Sequence, residues 1–330
     1  MIGMLKGKNC VRKAVSSLFK DVKIKSIKRL GGIGNESYKV NILSNEEEMP
    51  ICIKIFSGTL NEAKKKAIKE KYFIEKLSEI GFYVPKILHY DLEGKLIGRP
   101  FLIKKWIEGR PVGKVLEKIE DKEEALEAYT YNLVRLHEVP LSNINPSIIK
   151  IYENSEARIL EQIEVLKIFS TLVKVDVNNV ITLLEENRPK ALGLSLLFGD
   201  YAPENVLLDN NKRLYFIDLE SIEVGIREED VAYAYHMLRF LELFNRRLKG
   251  ISDDFLMLYE HYYGKPLSNF EYFKAFIALK LYLILKYLMR SRRFLRPVQV
   301  ITIIYPIIYT IFFKRAMNYL RECIRTYIVG

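Results

Sequence analysis

Phe198-Gly199-Asp200-Tyr201-Ala202-Pro203-Glu204-Asn205, with Phe216-Ile217-Asp218-Leu219-Glu220 close behind it, is the stretch on which the reading of this chain turns. Asp200 and Asn205 stand five residues apart, and Asp218 follows thirteen residues after Asn205. Phosphoryl transfer asks for such a set: an Asp to orient or deprotonate an attacking hydroxyl, an Asn on a metal, and an Asp bridging Mg²⁺ ions held by phosphates. Between them, Val206-Leu207-Leu208 reads as a strand, Asp209-Asn210-Asn211 as a turn, and Leu214-Tyr215-Phe216-Ile217 as the returning strand. A hairpin of this kind would carry Asn205 and Asp218 to the same end of two paired strands. Each piece alone is ordinary, since an Asp-Asn-Asn turn between apolar runs is any hairpin. The information lies in six or more specified positions at two fixed distances.

On these residues the sequence resembles the aminoglycoside phosphotransferase and choline kinase superfamily. The loop of that family usually reads His-Gly-Asp, two residues, a small residue and Asn, with Ile-Asp-aromatic-Glu after the hairpin. Here Phe198 takes the place of the His, a residue that braces the loop and does not touch phosphate. Gly225 and Asp230-Val231-Ala232 fall at the family's distances after Glu220; in the family that Asp opens a helix and accepts N–H groups from the catalytic loop. The resemblance is firmest over 198–232 and extends over roughly 28–235. It implies an α+β, bilobal, protein-kinase-like fold. A small antiparallel-sheet lobe with one helix would span 1–104, with a basic helical lead-in over 1–25. A larger, mostly helical lobe would span 105–330, with helices throughout 236–330.

The parts of a nucleotide-binding lobe occur upstream in the expected order. Leu30-Gly31-Gly32-Ile33-Gly34-Asn35 leads from one strand into another through a glycine turn, where consecutive N–H groups can cradle an anion. The same pattern also describes a plain hairpin. Pro50-Ile51-Cys52-Ile53-Lys54-Ile55-Phe56 alternates as a half-buried strand with Lys54 among apolar neighbours. The resemblance gives Lys54 the α/β-phosphates and a glutamate partner on the helix predicted over Asn61–Ile80, Glu70 first and Glu75 second. It also makes Lys105, Trp106 and Ile107 the lining of the base, although Trp106 serves equally well as a core anchor. His137 is read as a packing or helix-bracing residue.

Size and composition describe a folded protein. The chain has 330 residues, 49% of them hydrophobic and 28% charged, enough for two lobes with a substantial core. Three cysteines without metal spacing point to reduced thiols in a cytoplasmic setting, and no continuous apolar run near the N-terminus reads as a signal peptide. The net charge of +11 is concentrated at the ends: residues 1–30 and residues 286–330 each carry +8, so the body between them is mildly acidic. Val298–Phe313 is almost wholly apolar between Arg290, Arg292, Arg293 and Arg296 on one side and Lys314-Arg315 on the other. It is shorter than the roughly 20 residues a spanning helix needs, and Pro306 interrupts it. A buried helix or helix pair, a segment docking peripherally on the anionic inner membrane surface, and a true span are the three readings, in that order. Nucleic acid is disfavoured, because the basic ends lack a recognised binding motif.

The expectation is therefore an ATP- and Mg²⁺-dependent phosphotransferase acting on a hydroxyl of a small molecule, such as a sugar, a polyol or a lipid-linked alcohol. Asp200 would be catalytic, Asn205, Asp218 and Glu220 would face the metal, and Gly31, Gly32, Gly34, Asn35, Lys54, Glu70, Lys105, Trp106 and Ile107 would hold the nucleotide. The competing class is a pseudokinase-like scaffold, for which Phe198 is the support. A protein kinase is disfavoured, since there is no Asp-Phe-Gly or Ala-Pro-Glu signature and no long activation loop.

Overall fold

The structure, a computed structural model, describes residues 7–30, 34–44, 46–118, 120–291 and 304–329. Two compact units emerge: Met1–Arg110 with Leu207–Ser221, and Pro111–Val206 with Ile222–Gly330.

The first unit opens with helix α1 (Lys8–Leu18) and strands β1 (Val22–Arg29), β2 (Glu36–Ser44) and β3 (Glu47–Ile55). Helix α2 (Leu60–Glu79) and strands β4 (Ile87–Asp91) and β5 (Phe101–Lys105) follow. The five strands form an antiparallel sheet in the order β1-β2-β3-β5-β4. Alternation along the strands puts Val40, Ile42, Ile51, Ile53, Ile55, Phe101 and Ile103 into one cluster. Cys10, Val11, Ala14 and Val15, one stripe of α1, pack into the same cluster. Helix α1 falls in the basic N-terminal segment expected to be helical, and its apolar stripe makes that segment part of the core. Thr59 starts α2 with a capping box, its hydroxyl accepting from the Glu62 N–H while Glu62 accepts from the Thr59 N–H.

After β6 (Gly109–Pro111), the second unit contributes α3 (Val112–Leu116), α4 (Lys122–His137), α5 (Ser155–Leu172), α6 (Asn178–Glu186) and β7 (Ser195–Leu197). The hairpin β8 (Val206–Asp209) and β9 (Leu214–Phe216) that the sequence predicts follows, and it lies largely in the first unit, not with the larger lobe in which it was expected. Asp209 pins its turn by accepting from the N–H groups of Asn211 and Arg213, each at 2.9 Å. The N–H of Phe216 donates to the Tyr83 carbonyl, which fastens the hairpin to the segment after α2.

The second unit is completed by β10 (Glu223–Gly225), α7 (Arg227–Phe244), α8 (Ile251–Tyr263), α9 (Phe270–Ser291) and α10 (Ile304–Val329). Among the described residues the C-terminal third is mostly helical. β10 pairs with β7, placing Gly225 opposite Ser195. A side chain at Gly225 would meet Leu197, Glu229 and Arg158 within about 3 Å, so only glycine fits there. Arg158 is fully buried and forks to Glu223 and Glu229, locking α5 to β10 and α7. Residues 298–303 of the apolar C-terminal stretch lie outside the described residues. Pro306 falls in the first turn of α10, where its missing N–H is not needed, so it opens the helix and does not break it. Further along, Ala316, Met317, Leu320 and Ile324 of α10 are buried. Among the described residues no helix is long and apolar enough to cross a membrane.

Candidate active site

Lys54 lies on β3 opposite Leu102 of β5, and Lys104 lies one pleat away on the same face, opposite Cys52. Both ammonium groups are buried, and both reach one carboxylate. Glu70, fully buried on α2, accepts from Lys54 Nζ at 2.6 Å through Oε2 and from Lys104 Nζ at 2.6 Å through Oε1. Lys54 also meets Asp218 Oδ1 at 3.0 Å and Glu220 Oε2 at 3.2 Å. Glu75, the second candidate partner, turns outward and pairs with Lys71 one helical turn away.

Burial works against the Lys54 charge, yet Glu70, Asp218 and Glu220 outweigh it and hold its pKa above the ordinary lysine value. The same contest, decided by Glu70, raises Lys104. Burial pushes the Asp218 carboxyl up, and Lys54 and Lys104 more than reverse it, leaving it below the usual range. Two ammonium groups facing three carboxylates leave one excess negative charge, and the Asp218 side chain is 44% exposed. The cluster thus has a closed interior and one carboxylate open to a cation. The backbone at Asp218 is left-handed (φ 61°), a conformation that Asp and Asn tolerate better than Ala.

Asn35 closes the other side. Its Oδ1 accepts from the Ser57 N–H at 2.9 Å, and its Nδ2 donates to both oxygens of Glu220 at 2.6–2.7 Å. Gly34 is exposed, with open space where a Cβ would stand. Gly31 and Gly32 lie outside the described residues. In the segment after β5, the Lys105 N–H donates to the Lys86 carbonyl at 2.8 Å and the Trp106 N–H to the Pro50 carbonyl at 3.3 Å. The Lys39 ammonium sits over the Trp106 ring, 4.2 Å from its centroid. Ile107 is half-buried beyond them.

The second unit holds Asp200 on a loop that begins at buried Phe198 and turns through Gly199, whose φ of 79° calls for glycine. Asp230, in the first turn of α7, accepts from the Phe198 N–H at 2.5 Å and from the Gly199 N–H at 2.9 Å. His137 Nε2 lies 3.3 Å from Asp230, and its Nδ1 lies 2.6 Å from the Tyr259 hydroxyl. Burial keeps this imidazole below its ordinary pKa, which fits the bracing part expected of it. The Asn205 side-chain nitrogen donates to the Asp200 carbonyl at 2.9 Å, closing the loop on itself. Phe198 packs edge-on against Tyr201, with ring centroids 5.2 Å apart. The loop is therefore held through its backbone by Asp230, with Phe198 where the family usually has a histidine.

The family model described as "Phosphotransferase enzyme family" matches residues 26–264. The chain belongs to this family. Solved structures similar to this phosphotransferase include choline kinase LicA from Streptococcus pneumoniae, at 18% identity over 97% of this chain and 99% of that one, with a TM-score of 0.62. A thermostable mutant of aminoglycoside phosphotransferase APH(4)-Ia, in ternary complex with ADP and hygromycin B, has a TM-score of 0.65 at 14% identity, over 95% and 97% of the two chains. Amicoumacin kinase hAmiN, in complex with AMP-PNP, Ca²⁺ and Ami, has a TM-score of 0.61 at 15% identity, over 96% and 94%. At these identities the likeness is one of fold, which is α+β and protein-kinase-like. No curated protein sequence matches the chain.

Two residues of the phosphotransferase's site escape a reading of the sequence. Lys104 looks like one more surface lysine until β3 and β5 are set in register; its burial then follows from sharing a sheet face with Leu102 and Lys54. Tyr233, whose hydroxyl donates to Asp200 Oδ1, lies three residues beyond Asp230, so one face of α7 carries both. The signal was the i, i+3 spacing, legible only once the start of α7 is fixed.

Proposed function

We propose that this enzyme transfers the γ-phosphoryl group of ATP, with Mg²⁺, to a hydroxyl of a small molecule. The observation that carries the reading is the Lys54–Glu70 pair, buried on the inner sheet face with the partly open Asp218 carboxylate 3.0 Å from the same ammonium. Lys54 would bind the α/β-phosphates, with Glu70 and Lys104 fixing its position.

The donor set suits a hard cation. Among the described residues no group of three His, Cys, Asp or Glu could hold a metal by itself. Mg²⁺ commonly takes one or two side chains and completes its shell with phosphate oxygens and water. Asp218 and Asn205 are the proposed ligands. The Asn205 nitrogen donates to the Asp200 carbonyl, so the amide oxygen is the atom that would meet the metal. Glu220 would join them only by exchanging Asn35 for the ion. Bound there, the metal would neutralise charge on the phosphate oxygens. Asp200 would take the proton of the acceptor hydroxyl as its oxygen bonds to the γ-phosphorus and the bond to the bridging β-phosphate oxygen breaks, with ADP leaving. A base read by the segment after β5 would meet the N–H of Ile107, since those of Lys105 and Trp106 are already donated within the unit.

For the acceptor, the body is only mildly acidic and the C-terminal region is basic, which favours a neutral or anionic alcohol over a cationic one. A lipid-linked alcohol, met peripherally at an anionic inner membrane surface from the cytoplasm, is the form that explains the basic ends. The test is a screen of sugars, polyols and lipid-linked alcohols with Mg·ATP, with and without anionic vesicles and with Asp200→Ala in parallel. Transfer that needs Mg²⁺ and vanishes in the variant supports the reading. Equal transfer by the variant, or none with any alcohol, sinks it.

A further inference from the structure

We propose that the indole N–H of Trp106 donates to a ring nitrogen of the nucleotide's base and so takes part in choosing the phosphoryl donor. This rests on the reading of an ATP-dependent transfer and adds to it one contact between this chain and the base.

Trp106 is the single tryptophan of the chain, and the sheet register places it. Lys39 of β2 stands opposite Cys52 of β3, and Cys52 stands opposite Lys104 of β5. This row therefore shares the face that carries Lys54. Two residues after Lys104, the Trp106 N–H donates to the Pro50 carbonyl, which continues the pairing, and alternation returns the side chain to the same face. The Lys39 ammonium meets the ring there, 4.2 Å from its centroid. Pro50 precedes Lys54 along β3 by a stretch of strand spanning about 13 Å. With its phosphates at Lys54, a nucleotide thus brings its base to this end of the face.

Among the described residues, the buried side-chain polar atoms without a hydrogen-bond partner are Asn41 Oδ1, Trp106 Nε1 and Arg188 Nε. Arg188 still donates through another nitrogen to the Glu185 carbonyl, and Asn41 has an amide nitrogen besides its oxygen. The indole has one polar atom, so no group of the described chain satisfies it. A buried donor left unmet is costly, and native folds keep few of them. An indole N–H donates only, so it calls for a lone pair, and the ring nitrogens of a purine present theirs in the ring plane. Lys39 covers one face of the indole and leaves the edge to make the contact. The cation also draws electron density toward itself, which strengthens the N–H as a donor. Glu108 answers the Lys39 charge at 3.5 Å, so the ammonium is held without calling on the ligand.

The experiment follows the full chain by nitrogen–proton NMR, in which one indole signal belongs to Trp106. In parallel, calorimetry measures the binding of Mg·ATP and of its ring-deaza analogues, each lacking one base nitrogen, to the parent and to Trp106→Phe. Mg·ATP should move the indole signal downfield and slow its exchange with solvent. One deaza analogue should bind the parent about 10-fold more weakly than ATP and leave the signal at its ligand-free position. Trp106→Phe should bind ATP more weakly by a similar factor and no longer distinguish it from that analogue. If the parent binds Mg·ATP with an unmoved indole signal, or binds every deaza analogue as tightly as ATP, the inference is overturned while the reading of the function stands. A deaza loss that persists unchanged in Trp106→Phe belongs to another group and overturns it as well, as does coupling to the deoxyribose form instead of a deaza form. No binding of Mg·ATP by the parent removes both the function and the inference. The parent's own signal and deaza series decide the matter even where Trp106→Phe fails to fold.

Discussion

The lysine cluster of the first unit and the catalytic loop of the second both hold a carboxylate in place, by opposite means. In the cluster, charge is set against charge in the interior: Glu70 answers Lys54 and Lys104 with no polar neutral group between them. In the loop, the Asp230 carboxylate is met by backbone N–H groups, and the carboxylate of Asp200 by a tyrosine hydroxyl. A buried ion cluster makes stability depend on every member, because a stranded charge in the interior is costly. A hydrogen-bonded loop can lose a member and keep the fold while its geometry loosens. Activity should therefore fail without unfolding in the loop, whereas in the cluster the two should fail together.

The largest effect tests the loop. Asp200→Ala should slow transfer about 10²–10⁴-fold, the range of a positioned proton acceptor, with the melting temperature close to that of the parent. Steady-state rates and calorimetry on one preparation decide it. A fall in stability to match the fall in rate would show the loop behaving like the cluster, and the contrast would be gone.

The next effect tests the cluster from within. Glu70→Ala strands two buried ammonium groups and should cost about 3–5 kcal/mol of stability. Lys54→Met should cost visibly less, because Glu70 keeps Lys104 and Asp218 can turn to water. Denaturant midpoints for the two variants give the order, and equal midpoints would mean that Lys104 does not compensate.

The same contrast explains what the sequence revealed. The loop was legible because its chemistry is local: Asp200, Asn205 and Asp218 sit within nineteen residues, and the hairpin between them alternates visibly. Lys54 and the helix carrying Glu70 were legible as a strand lysine followed by an amphipathic run. Which glutamate faces inward was settled only by the helix rotation that buries Glu70 and turns Glu75 to Lys71. Lys104 was illegible because its burial depends on the pairing of β3 with β5, strands separated by α2 and β4. The place of α1 in the core was obscured for a simpler reason: its many basic residues mark a solvated face, and the narrow stripe of Cys10, Val11, Ala14 and Val15 is easily overlooked beside them.

Acid should separate the two regions. His236 on α7 is fully buried, with Nδ1 2.8 Å from the Tyr319 hydroxyl of α10 and Nε2 2.8 Å from the Lys274 carbonyl of α9. Burial lowers its pKa from 6.5 to about 4. Over that window the unfolded chain binds the proton that the folded chain refuses. The stability contributed by the neutral ring is complete above pH 6.5 and is lost as the pH falls toward 4, at up to about 1.4 kcal/mol per pH unit. Burial of His137 acts in the same direction. Asp218 loses stability in the same direction but in a lower window: its depressed pKa matters only below the ordinary carboxyl value of 3.8. Between pH 6.5 and 4, amide exchange should accelerate in α7 and α10 before the sheet, and His236→Gln should flatten the slope. Equal acceleration in the sheet would assign the acid sensitivity elsewhere.

The smallest effect is the most discriminating about α2. Thr59 and Glu62 cap this helix at its exposed start, while Glu70 lies three turns further on in the interior. Thr59→Ala removes one side-chain acceptor from the first turn and should cost about 1 kcal/mol. Fraying that stops short of Glu70 leaves both lysines paired, so the nucleotide affinity of the variant should equal that of the parent. If affinity drops together with stability, the first turns of α2 help to set the Glu70 carboxylate, and the cluster extends along the helix to its cap.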